Sequence, residues 1–258
     1  MRKSLLFFVI VMISVSVQAQ NVKNKKSIDQ LINPEQIKET FIYWGEELLV
    51  IVPDLANGRK VIRAFHTPLN PNPETHLNYD NDILDWKTLR PIEKHRASGS
   101  AYYDYSVPGE VTIKFVSPKE TVSRTVKINK PIYNLRGPGG GVLSASLPLK
   151  VGFSTSFSEV RLKFPYEMTY DPEVVDYELK VIGEEKVKVN DREFETYIVE
   201  IDSTQADSGV YYKQWVTKQP PHNAIKFIYA GKDGKSDYKS RPPYIVGNIV
   251  VKNDKGNN

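Results

Sequence analysis

Six stretches in the second half of the chain, EVRLKF, DYELKVIGEEKVKV, EFETYIVEI, GVYYKQWVTK, NAIKFIYAG and YIVGNIVV, follow one another with only turn signals between most of them. The signals are Asp171-Pro172, Asn190-Asp191, Asp207-Ser208-Gly209, Pro220-Pro221 and Asp233-Gly234. Within each stretch apolar and polar residues tend to alternate, the period of a strand with one face buried. Turns this short cannot carry a crossover helix, so neighbouring strands pair antiparallel. No stretch is able to form the helix of a βαβ unit. The predicted fold is therefore mainly β: a long curved antiparallel meander sheet, half-barrel-like, with little helix.

The first half reads in the same style. EELLVIVPDLANGRKVIRAF is a predicted hairpin turning between Asp54 and Gly58. Further on, Tyr103, Tyr105 and Val107, then Val111, Ile113 and Phe115, then Val122, Val126 and Ile128 mark three meander strands. Their turns fall at Val107-Pro108-Gly109 and Ser117 to Glu120. The Pro- and Asn-rich residues 67–82 read as a loop, and Leu31, Ile32 and Pro34-Glu35-Gln36 as a short helical lead-in. The predicted organisation is a lead-in over 20–45, one β domain over 46–252 whose halves join near 134–142, and a disordered tail over 253–258.

Residues 1–19 carry Arg2 and Lys3, an apolar run from Leu5 to Val17 and the small-x-small step Val17-Gln18-Ala19. That pattern predicts a signal peptide and export to the periplasm or beyond, the run being shorter than the roughly 18 residues a spanning helix needs. The mature chain then has no transmembrane segment. The chain has no cysteine, which excludes both a lipidated lipoprotein anchor and disulfides. Once Arg2 and Lys3 are set aside, 33 basic residues face 31 acidic ones. With that balance and no basic stripe interleaved with aromatics, nucleic acid is not an expected partner.

Four segments carry a resemblance to a known family. They are ILDWKTLRPIEK, LSASLPLKVGF, YELKVIGEEKVKVNDREFETYIVEI and YYKQWVTKQPPHNAIKF. In order and spacing they are similar to the D-x-x-T-L-x-P, L-P-L-x-x-G, V-x-G-x-E-x-V-x-V-x-x-x-x-F-x-T-x-x-V and Y-x-x-W-x-x-K segments of the exported bacterial domain-of-unknown-function family numbered 3108. The resemblance spans roughly residues 80 to 230. It implies an exported antiparallel sheet similar to the half-barrel of lipoprotein carriers, with no established activity and no catalytic residues to carry over.

Reaction centres are scarce. RGPGGGVL, residues 136–143, lacks the Gly-Lys-Ser/Thr ending of a phosphate loop and reads as a flexible connection. Asp80, Asp82 and Asp85 lack the glycine and distal glutamate of a calcium loop and read as turn formers. His66, His76, His95 and His222 form no compact zinc pattern, so no metal or other cofactor is expected. Ser154 and Ser156 have no nucleophile-elbow context, and Glu184, Glu185, Glu193 and Glu195 read as a strand ladder paired with Lys186, Lys188 and Arg192. No catalytic residue is assigned. The expectation is a protein that is not an enzyme.

The remaining signal is aromatic. Fifteen Tyr, ten Phe and three Trp recur mainly on strand-like runs, which an ordinary core explains first and a ligand-lined concave face second. Period two puts Tyr211, Lys213, Trp215 and Thr217 on one face of their strand and Tyr212, Gln214 and Val216 on the other. Trp86, Tyr212 and Trp215 are the candidate contacts for a lipid-like or apolar ligand, with Lys213 a partner for an anionic head. His222, beside Pro220-Pro221, closes a hairpin corner in one reading and serves a hydrolase site in another. The third reading is an envelope protein that docks a protein partner through a sheet edge.

Overall fold

The structure, a computed structural model, describes residues 27–44, 47–69, 80–96, 98–135, 138–163, 169–205, 209–231 and 243–251. The leader, His76, most of the 67–82 loop, the Asp233-Gly234 turn and the tail lie outside the described residues.

Two short 3-10 turns, Ile28–Gln30 and Pro34–Gln36, lead into the sheets. Eight strands follow: β1 Thr40–Trp44, β2 Glu47–Ala56, β3 Arg59–Pro68, β4 Asn81–Asp85, β5 Pro91–Arg96, β6 Gly99–Asp104, β7 Glu110–Val116 and β8 Thr121–Lys127. A 3-10 turn, Pro138–Gly141, runs directly into the helix α1, Val142–Ser146. The second run comprises β9 Ser154–Lys163, β10 Thr169–Val189, β11 Arg192–Ser203, β12 Val210–Thr217, β13 Ala224–Gly231, β14 Tyr244–Ile245 and β15 Asn248–Val251.

The antiparallel meander is as expected, but the strands divide into two sheets rather than one. The first sheet has the order β15-β1-β2-β3-β4-β5-β6-β7-β8, the second β14-β13-β12-β11-β10-β9, and neither closes on itself. The break falls at the connector between β8 and β9, where no turn signal joins the halves. The last strand, β15, returns to the first sheet and pairs with β1, Ile42 opposite Ile249. Thus the segment read as a lead-in supplies a strand, TFIYW, whose partner lies two hundred residues away. Among the described residues no helix is long and apolar enough to cross a membrane.

Local chemistry explains most strand limits. The β2–β3 turn narrows to Asn57-Gly58, both at positive φ (51° and 76°), the geometry of a two-residue hairpin, so Asp54 stays within the strand. At Asp171-Pro172 the chain does not turn. The proline, which has no N–H to give, sits in a register shift between Thr169 and Glu173 inside the long β10. The segment DWKTLRP folds around its own aspartate: Asp85 Oδ1 accepts from the backbone N–H of Lys87 and Thr88 and from Thr88 Oγ1, and the backbone N–H of Leu89 donates to the Asp85 carbonyl.

The two sheets meet over a common core. Ile51, Ile62 and Leu84 of the first sheet and Phe157, Tyr177, Leu179, Val199 and Val216 of the second cluster with Tyr133, Leu143 and Leu147 of the connector, all nearly free of solvent. The connector is thus a filling between sheets and not a flexible link. Every residue of α1 is buried, and Ser144 Oγ donates to Gln214 Oε1 on β12.

Candidate functional site

Next to that filling, the space between the sheets is open. A cavity of about 410 Å³ is walled by Ile42, Leu49, Ile51 and His66 of β1 to β3, by Tyr212, Ala224, Phe227 and Tyr229 of β12 and β13, by Asn223, Tyr244 and Val246, and by Leu135, Gly140 and Gly141 of the connector. Its size and mainly apolar lining with a few polar groups are those of a small-molecule site.

Each wall has a local cause. On β12 the period-two pattern sends Tyr212 to the inner face, opposite Tyr229 of β13. A register shift between Trp215 and Val216 then brings Ala224 onto the side that Phe227 and Tyr229 already occupy, which period two alone would forbid. The rings of Tyr212, Phe227, Tyr229 and Tyr244 form one aromatic wall, with centroids 5.6 to 5.7 Å apart. The Tyr212 hydroxyl is pushed up by burial and stays protonated.

The connector's share is set by glycine. A Cβ at Gly140 would stand 2.4 Å from the Leu135 carbonyl oxygen, so only glycine lets the two backbones approach this closely. At Gly141 a Cβ would meet nothing within 4 Å, so the missing side chain leaves open space. The loop is held in place by Asp82, completely buried on β4. Its Oδ2 accepts from the Gly139 backbone N–H at 2.9 Å and from Asn134 Nδ2 at 3.2 Å, and its Oδ1 from Arg96 Nη2 at 2.8 Å. From the second sheet the buried Glu159 accepts from the Leu135 N–H at 3.1 Å. Asp82, expected as a turn former, is therefore a strand residue that clamps the glycine run.

His66 is the one titratable imidazole in the cavity wall. Burial lowers its pKa below the ordinary value, outweighing Glu47, whose carboxylate lies 4.0 Å from Nδ1, and the more distant Asp80 and Asp82. It is neutral at pH 7. Among the described residues no cluster of His, Asp and Glu could hold a metal ion.

Of the five residues singled out by sequence, the cavity gathers Tyr212 alone. Trp215 is buried on the opposite face of β12, where its Nε1–H donates to Glu185 Oε2 at 2.6 Å and Lys226 Nζ lies 4.0 Å from the ring centroid. Lys213 lies on that same face, 5.2 Å from the Trp215 ring. Trp86 is packed in the main core under Lys60 Nζ, 3.6 Å from its ring centroid. His222 closes the β12–β13 corner: Nδ1 is 2.8 Å from the Thr217 carbonyl oxygen and the ring meets Tyr197 edge-on. Burial lowers its pKa too, with the Thr217 hydrogen bond opposing.

The carboxylate ladder is partly as expected. Lys186 pairs with Glu193, but Glu184 reaches Lys218, just past the end of β12, and Glu185 reaches Lys226 on β13. What pattern reading missed, His66 and the glycine pair, looked like an isolated histidine and a linker. Compared with protein-family models, with curated proteins and with solved structures, the chain matches none.

Proposed function

We propose that this is an exported, non-enzymatic β-sheet protein that binds one small apolar or amphipathic molecule between its two sheets. The observation that carries the reading is the inter-sheet cavity, with an aromatic wall on one side and aliphatic side chains on the other. At roughly 30 Å³ per water-sized group, it takes on the order of a dozen heavy atoms. A short acyl chain or a similar molecule fits that space, with His66 and Asn223 as polar groups for its head.

Export rests on the leader pattern of residues 1–19 and on the resemblance to the exported family numbered 3108. Two of that resemblance's segments meet in the fold, since Glu185 of one hydrogen-bonds Trp215 of another. A hydrolase at His222 draws no support from the ring's surroundings, because its Nδ1 is engaged by the hairpin's own backbone. The partner-docking reading has one observation in its favour: Tyr244 and Ile245, the whole of edge strand β14, are both about half exposed beside the cavity.

Native mass spectrometry of protein purified from an exporting host, followed by solvent extraction, tests the proposal. One co-purifying apolar molecule per chain, absent from a Gly141→Leu variant, is the expected result. A chain that carries none and takes up none from a lipid extract would overturn it.

A further inference from the structure

Three buried hydrogen-bonding groups without a partner among the described residues belong to residues that line a single second cavity. They are the hydroxyls of Tyr103 and Tyr105 and Nε of Arg90. This cavity, about 310 Å³, lies at the β4–β5 turn and β6 and shares no lining residue with the inter-sheet one. Buried polar groups are nearly always hydrogen-bonded, so three such groups in one wall mark a place shaped to receive something polar.

What it receives follows from the donors and acceptors present. Arginine Nε only donates. Both phenols are held protonated, since burial pushes them up, and so stand ready to donate. Three of the four carboxylate oxygens of the lining residues are engaged. Asp85 accepts from its own turn through Oδ1 and from Arg59 through Oδ2, and Asp104 Oδ1 accepts from the Ser106 N–H. The cavity's residues therefore have more donors than acceptors to spare.

Arg90 is anchored on one side. Its Nη2 donates to Asp29 at 3.1 Å, and its guanidinium carbon lies 5.6 Å from the Tyr105 ring centroid. One N–H and two hydroxyls suit the two oxygens of a carboxylate.

We propose that this second cavity binds a small organic carboxylate, received by Arg90 Nε–H and the hydroxyls of Tyr103 and Tyr105, with Arg59 adding positive charge. The volume admits on the order of ten heavy atoms at roughly 30 Å³ each.

Isothermal titration calorimetry with succinate and with benzoate, at chloride-matched ionic strength, tests this on the full chain and on Tyr105→Phe and Arg90→Lys. The expected result is one site on the wild type, weakened about tenfold by Tyr105→Phe, whose unliganded melting point is not lowered because the hydroxyl it loses has no partner there. Arg90→Lys loses binding further. Should it fail to fold without Arg90–Asp29, Tyr105→Phe decides alone. No heat from either carboxylate on folded wild type, unchanged affinity in Tyr105→Phe, or tighter binding of inorganic phosphate would overturn the assignment. Heat that appears only at a concentration where chloride gives the same signal would overturn it as well.

Discussion

Between the same two sheets one region is packed solid and its neighbour is open. Around α1, the side chains of Val142, Leu143 and Leu147 meet Phe157, Tyr177 and Leu179, and none of these is more than 3 % exposed. A residue or two upstream on the same connector, Gly140 and Gly141 face Leu49, Ile51 and Tyr212 across about 410 Å³. Packed sheets stand roughly 10 Å apart and need side chains to fill the gap. Here the connector is an extra layer in that gap, so its residues decide where the gap closes. Valine and leucine close it; two glycines leave it open. The cavity is therefore a consequence of what threads the gap, as much as of the sheets that bound it.

The largest expected effect breaks the clamp that both regions depend on. Asp82→Ala leaves the Gly139 N–H and Asn134 Nδ2 without their acceptor and Arg96 with Asp80 as its remaining carboxylate, and removing one partner of a buried pair costs up to about 3 to 5 kcal/mol. Urea denaturation of the variant should show that loss, and a change within about 1 kcal/mol would mean the clamp does not hold the loop.

Next is the contrast itself. Leu147→Ala, in the filled region, should cost about 2 to 5 kcal/mol, while Leu49→Ala, on the cavity wall and only partly buried, should cost clearly less, about 1 to 2 kcal/mol. Equal losses would mean the two regions are packed alike.

Trp215→Phe sharpens the comparison across the thickness of β12. It removes the hydrogen bond to Glu185, whose side chain is 42 % exposed, and should lower stability by about 1 kcal/mol. Ligand uptake should be unchanged, whereas Tyr212→Ala should reduce it. If Trp215→Phe abolished uptake, the assignment of faces would fail.

The smallest effect is on pH. Burial holds His66 below its ordinary pKa of 6.5. As pH falls through that value the unfolded chain takes up a proton that the folded chain declines, so stability decreases toward acid. His66→Gln should flatten this slope in melting curves recorded from pH 7 to 5. His222 has the same sign, so its own variant should flatten the remainder.

How much of this was legible beforehand varied with the range of the interaction. Period two placed Tyr212 and Trp215 on opposite faces of β12, and the structure agrees. Asn57-Gly58 and Asn190-Asp191 turned where turn chemistry says they should. The division into two sheets was not legible, because strand periodicity is local and says nothing of which neighbour a strand finds across a long connector. The β1–β15 pairing was hidden for the same reason.

The cavity was harder still. Its walls come from three strands of each sheet and the connector, so no single stretch announces it. The glycine run was read as flexible because glycine permits freedom, yet it also permits close approach, and only the Leu135 carbonyl beside Gly140 distinguishes the two. Trp215 misled through its size: a large aromatic on a strand looks like a ligand contact until its indole N–H is found bonded to Glu185.

The most direct test of the central claim is a titration of dodecanoate into the wild type and Gly141→Leu, followed by native mass spectrometry with melting points recorded alongside. Gly141 has helical φ and ψ of −81° and −17° with empty space before its Cα, so leucine fits there without strain and fills the cavity. One bound dodecanoate on the wild type and none on a variant that melts at or above the same temperature is the predicted result. Equal binding by both, or none by either, would contradict it.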